Sequence, residues 1–341
     1  MPPSSAFRMP TAVKAACVAL PLVLAASACG GGDGDDGEGL AEVTLTLNWV
    51  PYGEHAPFYY GLQQGFFEEE GIDLTIQPGE GSLVVAQAAG QGQVDYGWAD
   101  APSMVTAASE GVPVRSIGVF LQRNPAAIQC FSDTGISEPQ DLVGRDMAIS
   151  PGDALSQTLP IFLDANDMSE DDIQMQHVDS AAKIPTLIEE QADCITGFGH
   201  DQAPTIEAES GRDVDVMYYI DWAPNFLGNG LLTQEDRIED NPEEVRGMLE
   251  ASTRSWEAAQ EDVQAAVEAM DEMAEENPST EVMAEQLEAS FELLYTENTE
   301  GERPGVNAVE DWEQTLAVLA EHTEITADGE PADYWEESLA E

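Results

Sequence analysis

Apolar and polar positions alternate at Val43, Leu45 and Leu47, a period of two that predicts a strand over residues 43–49. A helical pattern follows over 56–70, closed by Gly71, and 72–77 alternates again as a second strand. Gly79-Glu80-Gly81-Ser82 then leads into an apolar helix over 83–89, and 94–99 reads as a third strand. Asp100 is a good N-cap for a helix reaching residue 110, and 114–122 is a fourth strand. The alternation restarts with strands at 147–150, 173–178, 194–198 and 214–220, separated by helices at 153–166 and 181–190. From Asn241-Pro242-Glu243-Glu244 onward the pattern is helical: a capping residue, proline in the first turn, and acids facing the helix N-terminus. Helices at 263–274 and 281–294 follow, and Trp312, Leu316 and Leu319 mark a last amphipathic one.

Strand–helix alternation of this kind predicts an α/β fold with mostly parallel sheets and right-handed crossovers. A chain of 341 residues exceeds what one core usually serves. The restart therefore predicts two lobes, 42–131 plus 225–341 for the first and 132–224 for the second.

In an open α/β sheet, ligands sit at the carboxyl ends of the strands. The loop after the first strand, with Trp49, Tyr52, His55, Phe58 and Tyr59 punctuated by Pro51, Gly53 and Pro57, is the most aromatic of these. For Trp49 and His55 ligand contact is expected; Phe58 and one tyrosine are expected in the core. The turn ending at Ser82 is either a plain connection or a cradle of backbone N–H groups for a polar group. Asp100 is either a structural cap or a partner for a ligand amine. Further strand-end loops carry Asp153, His200 and Trp222 with Asn225, the last pair expected near a hinge. Together Trp49, His55, Tyr59, Trp98, His200 and Trp222 predict an aromatic cleft between the lobes.

Enzyme signatures are missing: there is no G-x-S-x-G, H-E-x-x-H, phosphate loop or C-x-x-C, and the four histidines lack metal-ligand spacing. Neither a metal nor a cofactor is expected. The charge is more telling. The chain carries 11 Lys+Arg against 67 Asp+Glu, a formal net charge of -56, with the acids scattered through ordinary helices. That sign argues against nucleic-acid binding. Repulsion at this density needs counterions to screen it, which predicts an exported protein of a halophilic or haloalkaliphilic bacterium.

Export is written at the N-terminus. Arg8 and Lys14 precede an apolar run over 15–28, of signal-peptide rather than membrane-spanning length. Leu24-Ala25-Ala26-Ser27-Ala28-Cys29 resembles a bacterial lipobox, implying cleavage before Cys29 and acylation of its thiol. The Gly/Asp-rich segment after it reads as a flexible tether over 29–41. Cys130 and Cys194 are then left as either a disulfide or two buried thiols, in an oxidising setting.

A set of stretches in fixed order resembles a known family. These are Asn48-Trp49-Val50-Pro51 with His55-Ala56 and Tyr59, Gly65-Phe66-Phe67, Glu70-Gly71-Ile72-Asp73-Leu74, Gly92-Gln93-Val94-Asp95-Tyr96-Gly97, Glu110-Gly111-Val112-Pro113-Val114, Asp141-Leu142-Val143-Gly144-Arg145 and Asn241-Pro242-Glu243. The chain resembles extracytoplasmic substrate-binding proteins of ABC importers, in the branch of thiamine-pyrimidine-precursor and riboflavin binders, with sulfonate, taurine and nitrate binders as wider relatives. It departs from the pyrimidine-binding pattern at Asn48, where aspartate is common, and at Pro57. The resemblance implies a two-lobed periplasmic-binding-protein fold of the second type, a membrane permease as partner, and a monomer. It also implies a small heteroaromatic ligand stacked on Trp49, Tyr59 and Trp98 and hydrogen-bonded by His55, Ser82, Asp100 and Asn225. A sulfonate- or nitrate-type anion, and a pyrimidine-synthase-like enzyme, are the rival expectations.

Overall fold

A computed structural model describes residues 39–151 and 153–339. The expected signal segment, the acylated Cys29 and the tether up to residue 38 lie outside these residues. Among the described residues, no helix is long and apolar enough to cross a membrane.

Two five-stranded mixed sheets organise the chain. The first joins β1 (Ala41–Thr46), β2 (Ile72–Gln77), β3 (Tyr96–Asp100), β4 (Val114–Val119) and, from far along the chain, β10 (Asn229–Gln234), in the order β2-β1-β3-β10-β4. The second joins β5 (Ala126–Phe131), β6 (Asp146–Ile149), β7 (Gln174–His177), β8 (Cys194–Phe198) and β9 (Val214–Tyr218), in the order β7-β6-β8-β5-β9. In each sheet one strand runs against the other four: β10 pairs antiparallel with both β3 and β4, and β5 with both β8 and β9. The mostly parallel α/β architecture is therefore present twice.

Those two reversed strands are the ones hydrophobic patterning does not reveal. All six residues of β5 are buried, as are five of the six in β10, so neither shows the in/out alternation of a half-exposed strand. Their placement also corrects a boundary: residues 126–131, read as the end of the first lobe, belong to the second sheet. The chain crosses between sheets over 120–125 and returns over 223–228. The two crossings are tied together by Gly228 N–H to Leu121 O (2.9 Å), Asn225 Nδ2 to Gln122 O (2.9 Å) and Asn124 Nδ2 to Leu227 O (2.9 Å). Residues Gly39–Glu341 form one body by their contacts, so the sheets are its halves.

Helices cover both sheets. The helix predicted over 56–70 is two, Ala56–Gln64 and Phe66–Glu69, because Gly65 adopts a left-handed φ of 77° that ends the first. Pro242–Glu261, Val263–Met273 and Thr280–Phe291 pack around the first sheet, burying Trp256, Met270 and Leu287 against Phe58, Trp98 and Phe120. A second apolar cluster runs from Val85 and Met104 through Ile128 and Met147 to Phe162, so it spans both halves. Cys130 and Cys194 face each other on β5 and β8 and are joined by a disulfide with Cα atoms 4.4 Å apart, which settles the open choice between bridge and free thiols.

Candidate binding cavity

Five parallel strands end at one place. The loops following β1, β2, β6, β7 and β8, with residues 276–278 from a helix connection, line a cavity of about 470 Å³. From the first half come Asn48, Trp49, Val50, Pro51, Tyr52, Gly81 and Ser82. Asp153, Lys183, Phe198, Asp201, Gln202 and Thr205 face them from the second. Trp49 is half-buried and lines the cavity.

The opening loop is held by a buried polar network. A single turn of 3-10 helix, Gly53–His55, follows Tyr52 and leads directly into the helix Ala56–Gln64. His55 does not face the cavity; it is fully buried. Its Nδ1 accepts from the Tyr52 N–H (3.3 Å), which leaves Nε2–H to donate to Asn48 Oδ1 (2.9 Å). Asn48 Nδ2 in turn donates to the Tyr52 hydroxyl (3.1 Å), so His55 positions two cavity residues from behind. Gly53 is required for the close approach of this turn to the helix Thr280–Phe291, since a Cβ there would lie 2.2 Å from the Met283 carbonyl oxygen.

At the centre of the network sits Glu54, fully buried. One oxygen accepts from Trp98 Nε1 (2.6 Å) and Asn229 Nδ2 (2.7 Å); the other accepts from the Tyr52 hydroxyl (2.7 Å) and meets His200 Nε2 at 2.5 Å. His200 opens the helix that follows β8, whereas Glu54 follows β1, so this contact joins the two halves. Burial works to raise the Glu54 pKa, but the His200 charge and hydrogen bond, helped by His55 and Asn229, hold it down at about 2. Burial holds His55 down at about 4, and burial with Glu54 nearby drives the Tyr52 phenol well above its usual range.

Asp201, next to His200, is half-buried on the cavity wall. Its Oδ1 accepts from Gln286 Nε2 (3.0 Å), and Gln286 Oε1 accepts from the Gly53 N–H (2.8 Å). Burial, reinforced by the Glu54 charge and opposed by His200 and Lys183, raises the Asp201 pKa from 3.8 to about 7. The folded state therefore keeps this proton after the unfolded chain has lost it. Its charged form weakens the fold progressively from about pH 4 and fully above pH 7. Asp201→Asn removes that penalty. Urea midpoints of variant and wild type should coincide near pH 4, and the variant should unfold later at pH 8; an equal difference at both values would contradict the assignment.

Of the ten residues expected at the ligand, the structure places Trp49, Ser82 and Asp153 on the cavity wall. His55, His200 and Trp98 lie behind it in the Glu54 network. Trp98, expected to stack on a ligand, is instead fully buried, edge-on to Phe58 and stacked with Trp256 at 6.0 Å. Tyr59 is likewise part of the core. Asp100 is the structural cap: its carboxylate accepts from the Ser103 N–H (2.8 Å) and hydroxyl (2.9 Å), away from the cavity. Asn225 ties the crossing segments, and Trp222 is exposed; neither lines the cavity. Tyr52 was read in the aromatic opening loop, but sequence reasoning did not single out Asn48, Glu54, Lys183, Phe198 or Asp201 as site residues.

Comparison with known proteins identifies a family and a fold. The pattern of the family described as NMT1/THI5 like matches residues 53–266, more than half of the chain. A riboflavin-binding protein, RibY, of Chloroflexus aurantiacus is 27% identical over 219 residues, which are 63% of this chain and 61% of that protein's length. A formylaminopyrimidine-binding protein of Halalkalibacterium halodurans is 23% identical over 93% of this chain and 89% of its own. Among solved structures, the alkanesulfonate-binding protein SsuA of Xanthomonas axonopodis pv. citri, bound to MOPS, superposes with a TM-score of 0.64 at 12% identity, over 84% of this chain and 97% of that one. The fold is that of the periplasmic binding proteins, and the chain belongs to the NMT1/THI5-like family.

Proposed function

We propose that this chain is the solute-binding component of an ABC importer. It captures a small, neutral, nitrogen-containing heteroaromatic compound of the pyrimidine or flavin class in the 470 Å³ cavity and passes it to a membrane permease. The observation that carries the reading is the cavity wall itself. Trp49 and Phe198 supply ring faces, while Asn48, Ser82 and Gln202 supply polar edges. The two relatives, named as binders of riboflavin and of formylaminopyrimidine, support capture rather than turnover. Trp49, Ser82 and Asp153 are the proposed contacts, and the lobes close on the ligand by shifting the population of a closed state.

The sulfonate- or nitrate-type alternative is disfavoured by charge. Among the described residues, Lys183 is the only cationic side chain on the wall, and it is already paired with Asp153 at 3.0 Å. Glu276 adds negative charge to the same cavity. Titration calorimetry against riboflavin, aminopyrimidines, aliphatic sulfonates and nitrate separates the readings: binding confined to the heterocycles supports the first, and binding confined to an anion removes it.

We further infer a lipid anchor at Cys29 on the outer face of the cell membrane, supported by the small residues before that cysteine and the glycine-rich acidic segment after it. A saline habitat is supported by the disposition of the few cations. Arg115, Arg123, Arg145, Arg212, Arg237, Arg254 and Arg303 are each engaged in ion pairs, so carboxylates dominate the remaining surface charge. The melting midpoint should rise steadily from low to molar sodium chloride as repulsion is screened; a flat or falling series would contradict the saline origin.

A further inference from the structure

Lys183 stands apart from every other cation in the described chain. It is the only lysine after Lys14, and its side chain is 3% exposed, whereas the ion-paired arginines are 23% to 45% exposed. Burying an ammonium is costly unless its charge and its donors are answered. The charge is answered by Asp153, the N-cap of the helix Ala154–Ala165, whose other oxygen accepts from the Ser156 N–H. The donors are not: Nζ carries three N–H bonds, and Asp153 Oδ2 is its one hydrogen-bond partner among the described residues. Both residues line the cavity, on the wall built by the loops after β6 and β7.

We infer that Lys183 is a specificity residue that donates to a carbonyl oxygen on the ligand, with Asp153 holding it in place. This deepens, and rests on, the reading that the cavity takes a flat neutral heterocycle. The lysine–aspartate pair is already neutral, and Glu276 lines the same cavity. A second anion there would meet net negative surroundings, whereas a carbonyl oxygen accepts the spare N–H bonds without adding charge. The ligand class is accordingly a heteroaromatic ring bearing a ring or amide carbonyl at the end that faces the second half, with the ring face against Trp49.

The test uses two aminopyrimidines of similar length, one with a formylaminomethyl group at ring position 5 and one with a propyl group there, titrated calorimetrically into the whole protein. Wild type should bind the formyl compound at least about tenfold more tightly, the worth of one hydrogen bond to a charged donor. In Lys183→Met that ratio should collapse toward one. To keep the test independent of an unpaired Asp153, Lys183→Met combined with Asp153→Asn is measured alongside, and thermal melts identify the folded variants; the ratio should collapse there too. A wild-type ratio near one, or variants that weaken both compounds and keep the ratio, would overturn the inference while leaving the heterocycle reading intact. Failure of both pyrimidines and of riboflavin to bind wild type would overturn the two together.

Discussion

Replacing Glu54 by leucine should lower the stability of the protein by roughly 3–5 kcal/mol, because several buried donors lose the one acceptor they share. Glu54 accepts from Tyr52, Trp98 and Asn229 and meets His200, and all four are buried. Leucine fills part of the volume but answers none of these donors, and each orphaned one costs about 1–3 kcal/mol before any relaxation. The donors come from the loop after β1, from β3, from β10 and from the helix after β8, so the loss reaches both halves. Glu54→Gln keeps the shape and one acceptor, and should cost less. Urea unfolding monitored by tryptophan fluorescence measures both, and a leucine variant within about 1 kcal/mol of wild type would contradict the central place given to this carboxylate.

Trp49→Ala should have the opposite signature: affinity falls by roughly 1–3 kcal/mol, by analogy with the stacking of nucleic-acid bases on aromatic side chains, while the fold is kept. Trp49 is half-buried and its indole does not belong to the apolar core around Trp98 and Trp256. Truncating it removes a face of the cavity, not a support of the sheet. Calorimetric affinity for a pyrimidine or flavin, set against the melting midpoint of the same variant, distinguishes the two roles. A large drop in the midpoint would return Trp49 to the core.

The contrast between these two residues shows where sequence reading reaches. Strands and helices were legible wherever one face is wet, since alternation and periodicity then record burial. β5 and β10, buried on both faces, carry no such record and were missed, whereas β3, equally buried, was legible from the glycines before it and the N-cap Asp100 at its end. At the site, Trp49, Ser82 and Asp153 were legible because they follow strand ends, where ligands sit in such folds. Trp98 lies near the end of β3 and Tyr59 in the helix that follows the opening loop, yet an aromatic residue carries the same signal whether it meets a ligand or a neighbouring helix. Glu54 had no local mark among 67 acids; what singles it out is contact with residues 146 and 175 positions away. For Lys183 a signal did exist, its isolation as the one lysine after the apolar N-terminal run, but only the structure shows that it is buried against the cavity.

The most direct test of the central claim is the identity of the molecule the protein carries. Protein purified from its native source without denaturation, then unfolded and its released small molecules analysed by mass spectrometry, should yield one neutral nitrogen heterocycle per chain, bearing a carbonyl group. A stoichiometric aliphatic sulfonate or nitrate in its place would contradict the account.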